Sequence, residues 1–445
     1  MVQDELPVVV VGAGPQGLAA AAHLLERGLE PLVLEAGEVP AAAVRGWGHV
    51  RLFSPWTELV DPASARLLGS TGWQAPPEGY PTGDEWADGY LAPLADVLGA
   101  RVRYSTRVAG VSRRGRDRLV SAGRADQPFV VHVVDAAGAE SRLEARAVID
   151  ASGTWGSPNP AGADGLPALG ERAAAQAGVL GHRPPTPAEA AAMGGRRVVV
   201  VGSGHSALTA VIGLGEVART ASGTEVTWVL RRGVVGDTFG GGRADELAQR
   251  GQLGLRAKAA VDAGLVRMVT GFRVEAVDRD GDTLTLVAED GRRLAADRAV
   301  VLTGFRPDLS FLSELRLDLD PVLQAPRALA AEVDPNLHSC GSVSPHGAAE
   351  LAQPEPGLYL VGMKSYGRAP TFLAMTGFEQ VRSVAAKLAG DHGAAARVEL
   401  RLPETGVCGG SGLFDAPEQP APGGGCCGSP ASTGPELVTL GAPGA

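Results

Sequence analysis

The sequence predicts an α/β protein made of two Rossmann-like domains, the second inserted into the first, with a flexible cysteine-containing C-terminal tail. Three observations predict it. A β-branched run, a glycine-rich turn and an apolar helix succeed one another over residues 7–27. The same succession returns about 190 residues later. From Glu404 onward, 42 residues hold 11 Gly and 6 Pro but no Lys or Arg, a composition of low complexity.

The first unit opens with Pro7 to Val11, which suits a buried parallel strand. Gly12-Ala13-Gly14-Pro15-Gln16-Gly17 turns the chain into an Ala/Leu-rich helix reaching about Arg27. Gly28 ends that helix, and Pro31 to Leu34 is the next strand, completing a βαβ unit. In this pattern Gly12 makes the tight turn and Gly14 lets the backbone approach a pyrophosphate. Gly17 lets helix and strand pack closely, and the helix N-terminus supplies positive potential. Glu35 closes the second strand 18 residues after Gly17, where an acid binds ribose hydroxyls. An acid there disfavours a 2′-phosphate, so this site suits FAD or NAD.

The second unit runs from a strand at Arg196 to Val201, through Gly202-Ser203-Gly204-His205-Ser206-Ala207, into a helix reaching about Arg219. Glu225 to Leu230 is its second strand. Gly202, Gly204, His205 and Ser206 are the candidate phosphate contacts, and Ala207 is an accepted variant of the third glycine. His205 reads as a turn histidine near the phosphates rather than a base. This unit continues into Arg231-Arg232, where the first ends in Glu35. Arginines there pair with the 2′-phosphate of NADPH. The contrast assigns FAD to the first unit and NADPH to the second.

The remaining chain fits around these units. Pro40 to Gly99 reads as irregular, rich in Trp, Pro and Gly. Phe129 to Asp135, Ala147 to Ala151, Thr283 to Ala288, Ala299 to Leu302 and Leu358 to Val361 read as strands. Thr376 to Leu388 is an amphipathic helix ended by Gly390. The expected domains are residues 1–155 and 304–402 for a discontinuous FAD domain and 190–303 for an inserted NADPH domain. Residues 403–445 form a disordered tail.

Composition bounds the function. The net charge of −10 over 445 residues argues against a nucleic-acid partner. Hydrophobic residues at 44% and charged residues at 20% exclude a fully disordered chain. No apolar run is long enough for a membrane span. Asp4 and Glu5 precede the first apolar run where a secretory signal would be basic, so a cytoplasmic location is expected.

Two more strands end alike, in Val148-Ile149-Asp150-Ala151-Ser152-Gly153-Thr154 and Val300-Val301-Leu302-Thr303-Gly304-Phe305-Arg306-Pro307. Here the chain resembles the two-dinucleotide-binding flavoproteins, over about residues 6–390. These include flavin-containing, Baeyer–Villiger and N-hydroxylating monooxygenases and thioredoxin reductase. The resemblance implies FAD and NADPH as cofactors, with Thr154 and Gly304 where the domains join. It also implies that the stretch from Trp47 to Trp56 covers the isoalloxazine ring. Trp47 and Ser54 then line the flavin, and Arg51 is a catalytic candidate. Tyr366, Arg368, Thr371 and Phe372 precede the last helix, whose N-terminus should face the flavin pyrimidine carbonyl. Lys364 and Arg368 are candidates for that role or for substrate.

The chain departs from each subgroup. Thioredoxin reductases carry CxxC in the NADPH domain, and here that domain has no cysteine. Gly178-Val179-Leu180-Gly181-His182-Arg183-Pro184 does not fit the F-x-G-x-x-x-H of the monooxygenases. Reductases place Gly-Asp after the last FAD strand, and this chain has Gly362-Met363-Lys364. His338, Cys340 and His346 are too few for a metal site and read as loop packing.

Cys426-Cys427 is a vicinal pair after three glycines, with Cys408 on the same tail. Adjacent thiols close a disulfide poorly but chelate soft ions well. Three thiolates suit trivalent arsenic, while a zinc site would want a fourth ligand. The pattern is similar to flavin monooxygenases of bacterial arsenic-resistance operons. The resemblance implies Cys408, Cys426 and Cys427 as metal ligands, and a small-molecule or metalloid substrate with molecular oxygen. It leaves a homodimer open. The alternative is a metal(loid) or disulfide reductase in which Cys426 and Cys427 take electrons from flavin. A sequestering protein with little turnover is a third.

Overall fold

The four valines of β1 (Val8–Val11) divide between two cores, as the two-residue repeat of a strand requires. Val8 and Val10 share a core with Leu18 and Leu24 of α1 (Pro15–Glu26) and with Val381 and Val384 near the C-terminus. Val9 and Val11 share another with Phe129, Val131 and Val133. The first domain is therefore three layers: helices, a parallel sheet, and an antiparallel meander. The structure is a computed structural model. It describes residues 5–400 except 234, 243, 244, 246, 336–339, 342, 370 and 371, together with 407 and 408.

The chain forms β2 (Pro31–Leu34), β3 (Val102–Arg103) and the meander β4 (Arg107–Arg113), β5 (Phe129–Val134) and β6 (Glu140–Ala145), then returns as β7 (Ala147–Asp150). Val8 sits between Pro31 on one side and Ala147 on the other, all three strands parallel.

The inserted domain repeats the plan. It contains β8 (Leu180–Gly181), β9 (Arg197–Val201), α2 (His205–Thr220), β10 (Glu225–Val229), α3 (Ala248–Asp262) and β11 (Val266–Val269). A second meander follows as β12 (Val274–Asp280), β13 (Thr283–Ala288) and β14 (Arg293–Ala296), and then β15 (Arg298–Val301). Its sheet order is β11-β10-β9-β15-β8. Val198 and Val200 join the helical core, and Val199 and Val201 the meander core. The chain then gives β16 (Cys340–Gly341), β17 (Leu358–Leu360), α4 (Ala374–Leu388) and β18 (Val407–Cys408). β17 pairs with β7, so the first sheet reads β17-β7-β1-β2-β3.

Two chain passes join the domains. Asn159 N–H donates to Gly304 O at 2.8 Å, and the Asn159 side-chain amide donates to Thr303 O at 3.1 Å. Thr303 Oγ1 donates back to Asn159 O at 2.8 Å, and Arg306 Nε donates to Asn159 Oδ1 at 2.7 Å. Trp155 and Phe305 stack across the same passes with centroids 4.9 Å apart.

Residues 40–99 are not irregular throughout, as expected from their Trp, Pro and Gly content. They hold helices at Trp56–Leu59, Pro62–Gly69, Gly83–Trp86 and Ala92–Leu98. The reason is local capping. Asp61 accepts from Ser64 N–H ahead of Pro62, and Thr82 with Glu85 forms a capping box. The tail is also not wholly as expected: β18 pairs antiparallel with β16, with Cys408 in register with Cys340. Cys426 and Cys427 lie outside the described residues. Among the described residues, no helix is long and apolar enough to cross a membrane.

Candidate active site

The first glycine turn has one closed side and one open side. A Cβ on Gly17 would lie 1.9 Å from Gly12 O, so only glycine lets α1 sit this close to the turn. Gly12 has φ +99°, and a Cβ there would meet Ala151 O and Ser152 Cα at 3.0 Å. A Cβ on Gly14 would meet nothing within 4 Å. Gly14 is the extended N-cap of α1, with Pro15 first in the helix and no side-chain cap on the amides that follow. Those amides and the helix dipole present a site for an anion.

Glu35 stands at the far side of the turn, as its spacing predicts. Its two carboxylate oxygens accept the N–H groups of Ala13 and Gly37, each at 2.7 Å. Gln16 links this turn to the end of the chain. It donates to Ala374 O at 3.0 Å, while its buried Oε1 has no donor among the described residues. The open side of Gly14, the fixed acid and this orphaned acceptor fit a hydroxyl-bearing dinucleotide. Gly14, the start of α1, Glu35 and Gln16 would hold FAD.

Lys364, a catalytic candidate by sequence, is 0% exposed. Its ammonium lies 2.7 Å from Asp150 Oδ2, donates to Ser152 Oγ at 2.9 Å, and sits 4.5 Å from the Phe311 ring centroid. Ser152 Oγ in turn donates to Asp150 Oδ1 at 2.6 Å. The charge of Lys364 is matched inside the protein, directly behind the segment that touches Gly12.

Arg51 is exposed, donates to the Tyr80 carbonyl and lies 3.9 Å from Glu85. Trp47 packs against Gly83, where a Cβ would fall 2.8 Å from the indole. Ser54 and Thr154 are buried. Phe372 meets Tyr366 edge-on, centroids 5.0 Å apart, just ahead of α4, and Arg368 donates to Gln324 Oε1 at 2.9 Å. Thr371 lies outside the described residues. The structure brings Gln16, Gly362 and the start of α4 together: a Cβ on Gly362 would meet Gln16 Cγ at 2.8 Å.

The second turn is built alike. Gly202 has φ +130°, and a Cβ there would lie 2.1 Å from Leu302 O. Trp228 Nε1 donates to Gly202 O at 2.7 Å. Gly204, again with an open side, caps α2, and Ala207 is fully buried against the core. Ser206 is half-buried in the first turn of α2. His205 opens α2 as an exposed residue, its ring crowded by neighbouring atoms. Desolvation there, with the Arg250 guanidinium nearby, holds its imidazole well below the usual range, so it is neutral at pH 7. Arg231 is exposed at the end of β10 and donates to Ala163 O at 2.9 Å; Arg232 follows it, half-buried. Gly304 has φ +93° and packs on the Asn159 amide.

Cys408 is placed only by the register of its backbone, and Cys426 and Cys427 lie outside the described residues. Sequence reading missed Asp150 and Ser152 as partners of Lys364. It also missed Gln380 and read His346 as loop packing, whereas the two form a buried network beside Gly362. Gln380 carried a signal: it is a long amide inside the apolar face of Phe378, Val381 and Val384. A polar residue at such a position needs partners.

Over residues 9–325 the chain matches the family described as pyridine nucleotide-disulphide oxidoreductase. It is 28% identical over 318 residues to a ferredoxin–NADP reductase of Ignicoccus hospitalis, covering 70% of this chain and 81% of the relative. Among solved structures, a bacillithiol disulfide reductase from Bacillus cereus aligns with TM-score 0.62 and 21% identity. That alignment covers 86% of this chain and 99% of the other. A flavin-containing monooxygenase from Stenotrophomonas maltophilia aligns with TM-score 0.53 and 23% identity, covering 86% and 98%. At these identities the two structures establish the shared fold.

Proposed function

This chain belongs to the pyridine nucleotide-disulphide oxidoreductase family, and on that footing we propose that it works as a flavin monooxygenase-like enzyme of metalloid resistance. It is an FAD-dependent NAD(P)H oxidoreductase, with FAD and NADP(H) as cofactors. The observation that carries the finer reading is the placing of thiols. The four cysteines are at 340, 408, 426 and 427, so the NADPH domain has none to relay electrons to a disulfide. Molecular oxygen is then the acceptor, and arsenite the substrate suited to the tail thiols. Overall, arsenous acid, oxygen, NADPH and a proton give arsenic acid, water and NADP⁺.

FAD supplies a two-electron carrier between NADPH and the acceptor. The chain's own residues position and shield. Glu35 is pre-oriented by two amides, so it meets a ribose without reorganising. Gly14 and Gly204 leave room for backbone amides to approach the two pyrophosphates. Arg231 and Arg232 give the second site its preference for a 2′-phosphate. Neutral His205 brings no charge to the phosphates and serves as a hydrogen-bond partner. Cys408, Cys426 and Cys427 bind the trivalent metalloid and present it to the cleft.

The test is NADPH oxidation in air by the purified yellow protein, with and without arsenite, while hydrogen peroxide is followed. Arsenite-stimulated oxidation with little peroxide supports coupled oxygen transfer. Oxidation indifferent to arsenite, with all reducing power lost as peroxide, removes arsenite as the substrate.

A second reading rests on the vicinal pair Cys426-Cys427. In it the pair takes electrons from flavin and reduces a metal(loid) or a disulfide. Anaerobic NADPH titration separates the two. A tail disulfide would accept more than one electron pair per flavin, and the monooxygenase stops at one.

A further inference from the structure

Gly362 follows β17 with φ +68°, and one buried network holds both of its backbone groups. Its N–H donates to Gln380 Oε1 at 2.7 Å, and its C=O accepts from Ser365 Oγ at 2.7 Å. The Gln380 amide nitrogen donates to Ser365 Oγ at 2.8 Å and reaches His346 Nε2 at 2.7 Å. His346 Nδ1 faces Ser344 O at 3.0 Å. Gln380 and Ser365 are 0% exposed and His346 is 4% exposed.

The proton positions follow from which groups can only donate or only accept. The Ser344 carbonyl can only accept, so His346 Nδ1 carries a proton. The Gly362 N–H can only donate, so the Gln380 oxygen must face it. The Gln380 NH₂ then faces His346 Nε2, which must be the bare acceptor. The network is complete only while His346 is neutral. An imidazolium would set Nε2–H against the Gln380 NH₂, donor against donor. Relief requires the amide to turn over, which removes the acceptor from Gly362 N–H.

Gly362 in turn borders the cofactor cleft. Gln16, in the first turn of α1, is wedged between Gly362 and Gly377 of α4: a Cβ on either would fall 2.8 Å and 2.3 Å from it. Its amide bonds to Ala374 O at the start of α4. The position of Gly362 thus bears, through Gln16, on the spacing of the N-termini of α1 and α4, the first of which would hold FAD.

We propose that His346 and Gln380 are positioning residues that keep the FAD cleft in its binding form only while His346 is neutral, so that acid loosens FAD through this network. The charges around His346 are Glu332 from the helix Arg327–Val333, Glu350 from the segment before β17, and Glu379 from α4. Glu379 is itself paired with Arg382 at 2.6 Å, and the Tyr366 ring lies 5.6 Å from His346 between centroids. Burial holds the imidazole below its usual range. The Ser344 carbonyl and the three carboxylates oppose that without overcoming it. The neutral form therefore prevails at pH 7, and the acid form appears below the ordinary imidazole range.

The test is FAD affinity of the full chain against pH, read by flavin fluorescence, for wild type, His346→Gln and Gln380→Glu. Wild type should bind FAD about tenfold more weakly once His346 is protonated, the scale of one buried hydrogen bond. His346→Gln, whose amide oxygen can still accept from Gln380, should lack that acid limb. Gln380→Glu should reverse it, because a carboxylate accepts from Gly362 N–H and from imidazolium together. An acid limb unchanged in His346→Gln overturns the proposal. Should either variant fail to fold, nitrogen NMR of wild type decides: titration of His346 without any change in the flavin spectrum also overturns it.

Discussion

Phe53 and His205 meet edge to face, with ring centroids 4.9 Å apart and planes at 70°. Phe53 lies just ahead of the helix Trp56–Leu59 in the first domain, and His205 opens α2 in the second. One aromatic contact therefore joins the first domain to the second glycine turn. Phe53→Ala should raise the His205 pKa toward its ordinary 6.5, because the ring that helps exclude water is gone. It should also raise the NADPH KM by a few-fold to about tenfold, the scale of such a pair. Proton NMR of His205 and steady-state kinetics check both effects.

The two fingerprint glycines of the first turn should fail differently. Gly14→Ala meets open space, so the FAD-free protein should lose less than about 1 kcal/mol while FAD affinity falls at least about tenfold. Gly17→Ala drives a methyl into the Gly12 carbonyl, so stability itself should fall by about 1–3 kcal/mol or more. Thermal melts of the FAD-free proteins, set beside FAD titrations, distinguish them.

Glu35→Gln keeps the shape but leaves one of two backbone N–H groups facing an NH₂. The turn should weaken by about 1–3 kcal/mol, the cost of an unmet charge-assisted bond. FAD retention through gel filtration should drop, while circular dichroism stays that of a folded protein.

Glu355 is 2% exposed and accepts from both Arg113 and Arg124. Burial by itself would raise its pKa. The two guanidinium groups and the Arg316 N–H outweigh burial and hold it below 4.5. A carboxylate lowered on folding stabilises the protein above its unfolded pKa, and that stability is lost as pH falls through the folded value. Wild type should therefore lose this contribution only below about pH 4.5. Glu355→Gln should cost about 3–5 kcal/mol at pH 7, since it leaves two buried arginines with carbonyl partners but no carboxylate, and its stability should fall less steeply in acid. Urea melts at pH 7 and pH 4 measure both.

Much of the fold was legible because it is written locally. The glycine spacing of each turn, the β-branched strand before it and the acid or arginines after it lie within residues 7–35 and 196–232. The helices at Pro62–Gly69 and Gly83–Trp86 were missed because composition was read there and the caps at Asp61 and Thr82 were not. Lys364 could be singled out by sequence, yet its ion pair with Asp150 joins residues 214 positions apart. No local pattern announces such a pair.

By itself the sequence determined two α/β nucleotide-binding units and the placing of all four cysteines after both of them. The units depend on short-range backbone needs, such as Gly12 and Gly202 at positive φ, which few residues can meet. Only the tertiary structure decided that Phe53 reaches His205, that Lys364 is neutralised by Asp150, and that His346 must be neutral beside Gln380. The reason is physical: a buried charge or amide is defined by what stands opposite it. Folding alone brings those partners together.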